Sequence, residues 1–503
     1  MKILTAQEIR EVEKISFEKY FSEAELMKRA SEKCFFAICK RYGEQLIGAK
    51  VSIVCGNGKN AGDGFVIASL LKRYGCEVEV ILVDKTPQTA EPLMYFEQMK
   101  DDKIDVFHID EIDCIKSPFV VDCVFGIGFH GKARQPFDIA FDMINESNAH
   151  IISVDIPSGV NATDGSIEGK CVSAEFTIAI STLKYGHILP PGNMYCGEVK
   201  TVDIGIPQDC YEEKYAETIT KKEIAKNFQP RSLNSNKGNF GHQLNICSSQ
   251  KMTGAGIICA KGALKTGVGL LKCAFPKSCY VPYASQLCES LFLPLAENSD
   301  KTFSMGCVNS LLPEFDWADS IVVGCGIDIN DDTEVLVAQV LKNAKCPIVL
   351  DADGINIVSN RIELLEGIAS TVVLTPHPGE MARLVGTDVA TVQKDRIGYA
   401  KAFAEKTKTI VVLKGANTIV TDGKEVFVNT TGNPGMAKAG TGDLLAGMIG
   451  SFIAQKMSPL EAAKTAVFVH GMCGDITARE LSQRGMTSSD MAELLGAMMS
   501  EFE

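Results

Sequence analysis

Hydrophobic and polar positions along the 503-residue chain form two successive series. From Lys50 an apolar run, VSIVC, leads into a glycine loop, GNGKNAGDG, then a helical pattern, FVIASLLKRYG, and a second run, CEVEVILVD. That alternation predicts a βαβ unit. Two further runs, FVVDCVFGIG and HIISVDIPSG, end in glycine, proline or aspartate, and runs apolar at nearly every position suit a parallel sheet buried on both faces. Upstream, Thr5 with Glu8 makes a capping box, and Ile9, Val12, Ile15 and Phe17 give an apolar stripe. The segment before Lys50 therefore reads as helices packed as a cap.

The pattern breaks between Gln208 and Asn239, which is rich in charge and ends in an Asn/Ser/Lys/Gly cluster. Few residues there could build a core, so a domain boundary is expected near 212–225, with a short helix or connector inside it. Beyond it, strand-like runs recur at QLNIC, SIVVGCG, PIVLDAD, STVVLTPHPG, TIVVLKG and TIVTD, separated by helical patterns such as TEVLVAQVLKNA and IGYAKAFAEKT. The last third is helical: DLLAGMIGSFIAQ is apolar nearly all round, and Ser458, Pro459 and Glu461 read as N-cap, N1 and N3 of the next helix. The expectation is two α/β domains, 1–215 and 225–503, without internal duplication.

Composition narrows the class. With 46% hydrophobic and 22% charged residues, the chain is globular. The longest apolar stretch, Leu444 to Ala454, is far short of the roughly 18–20 residues of a membrane span. Glu8, Arg10, Glu11 and Glu13 fall where a signal peptide needs its apolar core, so a cytoplasmic location is expected. Net charge is −13, which disfavours nucleic acid or a membrane as partner but allows local loops that hold a small phosphorylated ligand. The 18 cysteines contain no CxxC pair, so they read as small core residues in a reducing compartment. Self-association into a homo-oligomer is expected of an α/β protein this large.

Gly56, Gly58, Gly62 and Gly64 follow a strand and open a helix, and Asp84 ends the next strand about 20 residues further on, imitating a dinucleotide fingerprint. The spacing is G-x-G-x-x-x-G, however, with Asn57, Lys59, Asn60 and Asp63 filling the loop. Polar side chains then crowd where a pyrophosphate needs close backbone approach, which argues against a standard NAD cofactor site. Amides at a helix start still make an anion pocket, although glycine alone also suffices for a tight βα turn.

The stronger chemistry lies in GNPGMAKAGTGDLLAGMIG, which places Gly440, Thr441, Gly442 and Asp443 at the entrance of an apolar helix. Free first-turn amides there suit charge developing on a transferred phosphoryl group. A carboxylate beside them is suited to deprotonating an attacking hydroxyl, the alternative being a simple N-cap. No G-x-x-x-x-G-K-[ST] occurs, which excludes a P-loop. Gly324, Gly326, Asp351, Asp353, His377, Glu380 and Lys414–Thr418 all follow predicted strands, at the end of an open sheet where ligands bind.

CGNGKNAGDG, VVDCVFGIGFHGK, SVDIPSG and STLKYGH together resemble the signature loops of the NAD(P)H-hydrate epimerase domain, over about residues 1–210. The resemblance implies a Rossmann-like three-layer domain that interconverts the R and S hydrates of NADH and NADPH (NADHX and NADPHX), assisted by potassium. It assigns Asn60, Asp122 and Ser158 as potassium ligands. The implied substrate contacts are Lys59, Asn60, Ala61, Gly62 and Asp63, then Gly126, Ile127, Gly128, Phe129, His130, Gly131 and Lys132, then Asp155. Asp155 is the candidate proton-transfer group with Lys184 as partner; a strand-end aspartate could instead cap the IPSG turn. Where that family's loop reads NNGGDG, this chain has Lys59 and Ala61, and Ala61 puts a methyl where a loop would take positive φ.

NKGNFG, MTGA, VGCGI, LDADGIN, TPHPGE, LKGANT and NPGMAKAGTGD are similar, in order, to the ADP/ATP-dependent NAD(P)H-hydrate dehydratase, over about residues 225–500. This resemblance implies a ribokinase-like α/β domain that phosphorylates the C6 hydroxyl of the S hydrate from ADP or ATP, with Mg2+, and then expels phosphate. It assigns Ala255, Gly326, His377 and Asp443 to the hydrate, with Asp443 as base, and Lys414, Gly415, Ala416, Asn417, Thr418 and Gly442 to the nucleotide. Ser248 replaces a glycine, and Lys438 is either a phosphate contact or a solvated side chain. The alternative reading is a ribokinase-like small-molecule kinase with a non-catalytic N-terminal module.

Overall fold

The apolar runs fold as strands. The computed structural model describes residues 1–211 and 215–502, and its contacts divide the chain into two units, Met1–Tyr215 and Ala216–Glu503. Of the stretch expected to hold the boundary, 212–214 lie outside the described residues.

The first unit runs α1 (Ala6–Lys19), α2 (Glu23–Tyr42), β1 (Lys50–Cys55), α3 (Lys59–Tyr74), β2 (Glu77–Leu82), α4 (Ala90–Asp101), β3 (Asp105–His108), β4 (Phe119–Cys123), α5 (Phe137–Asn145), β5 (His150–Val154), β6 (Phe176–Ile180) and β7 (Glu198–Val202). The sheet is parallel, in the order β3-β2-β1-β4-β5-β6-β7. Strand periodicity splits its apolar residues between two layers. Ile53, Val80, Val121 and Ile152 pack with Cys34 and Ile38 of α2, Phe65 of α3 and Phe96 of α4, while Val54, Ile81, Val120 and Ile151 pack with Phe141 and Ile144 of α5. The capping box of α1 is present, with Glu8 N–H donating to Thr5 Oγ1 at 3.2 Å and Thr5 N–H to Glu8 Oε2 at 2.7 Å.

The glycine loop is shorter than its sequence suggests. Gly58 is the N-cap of α3, so Lys59 to Gly64 are already helical. Ala61 lies in the first turn, fully buried and without positive φ, and its methyl carries no strain. Gly64 is required by close approach instead: a Cβ there would lie 2.7 Å from Cys55 Sγ and 2.9 Å from Cys123 Cβ, on the strands beneath.

The second unit runs β8 (Ala216–Thr218), α6 (Lys221–Ala225), β9 (His242–Ile246), α7 (Thr253–Lys265), β10 (Leu270–Pro276), α8 (Tyr280–Gln286), β11 (Leu291–Leu295), α9 (Val308–Trp317), β12 (Ser320–Val323), α10 (Asp331–Asn343), β13 (Ile348–Leu350), α11 (Asp353–Ser359), β14 (Val372–Leu374), α12 (Pro378–Val385), α13 (Val389–Lys394), α14 (Arg396–Thr407), β15 (Ile410–Leu413), β16 (Ile419–Thr421), β17 (Val426–Val428), α15 (Thr441–Ala454), α16 (Pro459–Gly485) and α17 (Ser488–Met498). Its strands follow the order β11-β10-β9-β12-β13-β14-β15-β16-β17-β8, antiparallel only at β15–β16 and β16–β17. Residues 216–225 belong to this unit: β8 pairs with β17, and Ile219 and Ile224 are buried in its core.

Helix α15 is buried on nearly every face, as its composition requires, and Ser458 caps α16 by accepting from Glu461 N–H with Pro459 in the first turn. Helices α7 and α15 meet at Gly447, where a Cβ would sit 1.9 Å from the Cys259 carbonyl oxygen. Gly447→Leu is therefore expected to cost the second unit about 1–3 kcal/mol or more through overpacking, read by denaturant titration; unchanged stability would contradict this packing. Among the described residues no helix is long and apolar enough to cross a membrane.

Candidate active sites

In the first sheet the strand order reverses between β1 and β4, and the crevice outside their carboxyl ends is the place where such sheets bind ligands. A cavity of about 680 Å³ opens there. Lys59, Asn60, Asp63, Gly126 to His130, Lys132, Asp155 and Lys184 line it, together with Arg10 and Glu13 of α1, which motif reading missed. Ala61, Gly62 and Gly131, expected among the contacts, do not line it. The first two face the core through α3: a Cβ on Gly62 would lie 2.6 Å from Met27 Sδ.

Asp155, directly after β5, has φ 71°. Such left-handed backbone costs a non-glycine residue on the order of 1–3 kcal/mol, so its neighbours must enforce it. Its N–H donates to Ile178 O at 2.9 Å, and its carbonyl accepts from His187 Nε2 at 2.7 Å. Its carboxylate Oδ1 pairs with Lys184 Nζ, which also donates to Ile180 O at 2.8 Å. The side chain is thus an ion-pair partner, not a cap of the IPSG turn. His187 accepts from Lys184 N–H through Nδ1 at 3.0 Å, and burial, reinforced by the Lys184 charge, pushes it down to about 3. A neutral ring with one accepting and one donating nitrogen therefore holds both members of the pair. A Cβ on Gly126 would lie 3.2 Å from Asp155 Oδ2, so glycine there keeps the second oxygen accessible to the cavity.

Asp63 is protonated at neutral pH, since burial pushes it up to about 8. Ser31 Oγ lies 2.8 Å from both Met27 O and Asp63 Oδ1, and its single proton can serve only one of them; a protonated Asp63 donates to Ser31 and satisfies both contacts. Because the folded-state value lies above the ordinary one, this group's contribution to stability is fully present at low pH and is lost as pH rises through about 8. The unfolding free energy of the wild type, relative to Asp63→Asn, is expected to fall on the order of 1 kcal/mol per unit between pH 6 and 8. A difference independent of pH would contradict this.

Asp122, fully buried, accepts from Ser153 Oγ (2.8 Å), Ser158 N–H (2.9 Å), Ser158 Oγ (2.6 Å) and Val124 N–H (3.2 Å). Burial raises its pKa and these hydrogen bonds oppose the rise. Asn60 Nδ2 donates to Phe125 O at 3.0 Å, and Ser158 Oγ lies 3.3 Å from the same oxygen. Asn60, Asp122 and Ser158 are therefore linked around one backbone carbonyl, and among the described residues every hydrogen-bond donor to Asp122 is neutral.

In the second sheet the order reverses between β9 and β12. Ser248 N–H donates to Cys325 O at 2.8 Å across that point. Ser248 has φ 76°, which explains the glycine expected there; its hydroxyl donates to Thr253 O (3.0 Å), accepts from Gly256 N–H (3.2 Å) and contacts Tyr283 Oη (2.9 Å). Gly326 has φ 69°, and a Cβ on it would lie 2.9 Å from Ala255 Cβ, so these two expected contacts are neighbours.

Helix α15 opens on Gly440 at φ 88°, the N-cap. Asp443 is thus the third helical residue and not the cap. Its carboxylate, the Asp351 carboxylate and Cys325 Sγ offer atoms within 4.8 Å of one another. Burial, with Cys325 and Asp351 adding, pushes Asp443 up to about 9, opposed by the Lys414 charge. Asp351 Oδ1 accepts from Lys414 Nζ (2.7 Å) and Thr375 Oγ1 (2.6 Å). The Lys414 ammonium reaches under the first turn of α15, 3.1 Å from where a Gly442 Cβ would be.

The KGANT turn is pinned by Arg396, whose guanidinium donates to the carbonyls of Leu413, Lys414 and Ala416; Thr418 Oγ1 donates to Gly415 O at 3.1 Å. Arg396 carries no motif and was not legible in the sequence. His377 is the N-cap of α12, where Nδ1 accepts from Gly379 N–H (3.0 Å) and Glu380 N–H (3.3 Å), and its own N–H donates to Glu380 Oε2 (2.7 Å). Lys438 is not simply solvated: Nζ donates to Arg484 O and Met486 O, at the end of α16.

A parallel sheet in Rossmann order and a second, ribokinase-like unit, each with polar side chains gathered at the carboxyl ends of its strands, define a two-unit α/β protein. The family profile described as NAD(P)H-hydrate dehydratase matches residues 244–496, and that described as YjeF-related protein N-terminus matches residues 23–186. The bifunctional NAD(P)H-hydrate repair enzyme Nnr of Moorella thermoacetica is 32% identical over 100% of this chain and 97% of its own, and that of Thermofilum pendens 33% over 100% and 98%. Among solved structures, the Bacillus subtilis ADP/ATP-dependent NAD(P)H-hydrate dehydratase, co-crystallised with ATP/Mg2+, is 27% identical, with TM-score 0.50 over 57% of this chain and 99% of its own. A ribokinase-like superfamily protein from Enterococcus faecalis, 24% identical with TM-score 0.51 over 58% of this chain and 98% of its own, has the same fold. The chain belongs to the bifunctional NAD(P)H-hydrate repair enzyme family.

Proposed function

We propose that residues 1–215 epimerise the R and S hydrates of NADH and NADPH and that residues 216–503 dehydrate the S hydrate at the expense of ADP or ATP. The observation that carries the second activity is Asp443 in the first turn of α15, beside glycine amides and within reach of Asp351. Asp443 removes the proton of the C6 hydroxyl as that oxygen attacks phosphorus, and the amide of Gly442 in the same helical turn stabilises charge on the transferred group. Phosphate is a far better leaving group than hydroxide. The ring-nitrogen lone pair expels it, and loss of the C5 proton restores the double bond. Ala255, Gly326 and His377 position the hydrate, and the Lys414–Thr418 turn faces the nucleotide. Mg2+ would accompany the nucleotide, held chiefly by its phosphates and water, and would neutralise charge on the transferred group.

In the first unit, Asp155 moves a proton on and off the C6 hydroxyl with Lys184 as its charged partner. Departure of water flattens C6, and return of water to the other face inverts it. The oxygens of Asn60, Asp122 and Ser158 suit potassium, and a monovalent cation supplies the charge that Asp122's neutral donors lack. Unpaired cysteines fit a cytoplasmic setting, and exposed Phe36 and Ile47 support self-association. The test of the dehydratase reading is the S hydrate with ADP or ATP. Return of reduced-nicotinamide absorbance with one phosphate released per turnover is expected, whereas a stable phosphorylated product would favour the small-molecule kinase.

A further inference from the structure

Three thiols that are remote in sequence converge beside the second site. Cys247 follows β9, Cys259 lies on α7 and Cys325 follows β12, and all three are fully buried. Their Sγ atoms lie within 4.8 Å of one another. In a tetrahedral zinc–thiolate centre, Zn–S bonds of about 2.3 Å separate the sulfurs by about 3.8 Å, so closure onto a metal needs shifts of an ångström or less. Asn245 Nδ2 donates to Cys259 Sγ at 3.4 Å, the kind of outer hydrogen bond that steadies a ligating thiolate. Cys325 Sγ also lies 3.8 Å from Asp351 Oδ2 and shares a 4.8 Å cluster with the partly exposed Asp443. The candidate dehydratase site is therefore a route of entry and a source of a fourth ligand.

We infer that Cys247, Cys259 and Cys325 form a tridentate site for a soft d10 cation such as zinc. Three metal–sulfur bonds form as three thiol protons leave to solvent, and the resulting negative centre lies near the Lys414 ammonium. The donor set is soft, which separates this site from oxygen-ligand ions such as magnesium. A cation there would sit beside Asp443 and hold Cys325, impeding the second activity and leaving the first untouched. That consequence rests on the function proposed above. The binding does not, and it is measured without turnover.

The experiment uses reduced full-length protein with the exposed Cys114 and Cys288 replaced by serine, titrated with zinc(II) alone. One equivalent is expected to bind, with X-ray absorption reporting three sulfur neighbours at about 2.3 Å. Cys259→Ala should weaken binding by at least about 100-fold, because removing a ligand costs more than removing an outer partner; Cys346→Ala, elsewhere in the unit, should not. If Cys259→Ala fails to fold, Cys247→Ser and the sulfur count of the unsubstituted cluster decide. Zinc held only by nitrogen and oxygen, or affinity unchanged by both cluster variants, would overturn the inference.

Discussion

Asp443→Asn is expected to lower nucleotide-dependent dehydration by about 100- to 10,000-fold, the range for losing a positioned general base, while epimerisation continues at the wild-type rate. Asparagine keeps the shape of the carboxylate and its place in α15, so folding and nucleotide affinity should change little. The loss should fall on kcat. Burial holds the wild-type carboxyl at about 9, so the free enzyme carries it protonated at neutral pH. Catalysis needs it ionised, and kcat/KM for dehydration should therefore rise with pH toward about 9. A profile flat from pH 6 to 9, or parallel loss of epimerisation in the variant, would contradict the assignment of Asp443 to a separate site.

Asp155→Asn should have the opposite selectivity, with epimerisation falling by about 100- to 10,000-fold and dehydration of the pure S hydrate unchanged. The substitution also leaves the Lys184 ammonium buried without its carboxylate, and a broken buried pair costs on the order of 3–5 kcal/mol. A second variant separates stability from chemistry. Lys184→Met with Asp155→Asn removes both charges and should recover stability without activity. Recovery of epimerisation in that double variant would show that Asp155 only positions its neighbours.

Much of this architecture was legible because strand burial and cap chemistry are local. Alternate residues of VSIVC and FVVDC separate into two layers, and Thr5 with Glu8 or Ser458 with Glu461 set helix starts, all within a few positions of sequence. Asp155 and Asp443 stood out because glycine and strand ends mark them. Lys184 was legible as the partner of Asp155, but the residues that hold these groups in place were not. His187 clamps Asp155 from a separate turn, Arg396 pins the KGANT turn from α14, and Lys414 turns inward to Asp351 instead of standing free. Such contacts are set by the order of strands in the sheet, which spacing along the chain does not encode. The glycine run misled in the other direction: tight packing of α3 on β1 and β4, and not loop flexibility, requires Gly64, which is why Ala61 is harmless. The cysteines read as core residues one at a time, and only the convergence of β9, α7 and β12 brings three of them together.

The central claim is that one chain carries both activities, and the R hydrate tests it most directly. With ADP or ATP, full-length protein should convert R hydrate completely to reduced nicotinamide, faster than the hydrate epimerises in solvent. The Asp155→Asn protein should be held to that solvent rate. Conversion by the wild type no faster than solvent epimerisation, or no return of absorbance from either epimer, would contradict the account.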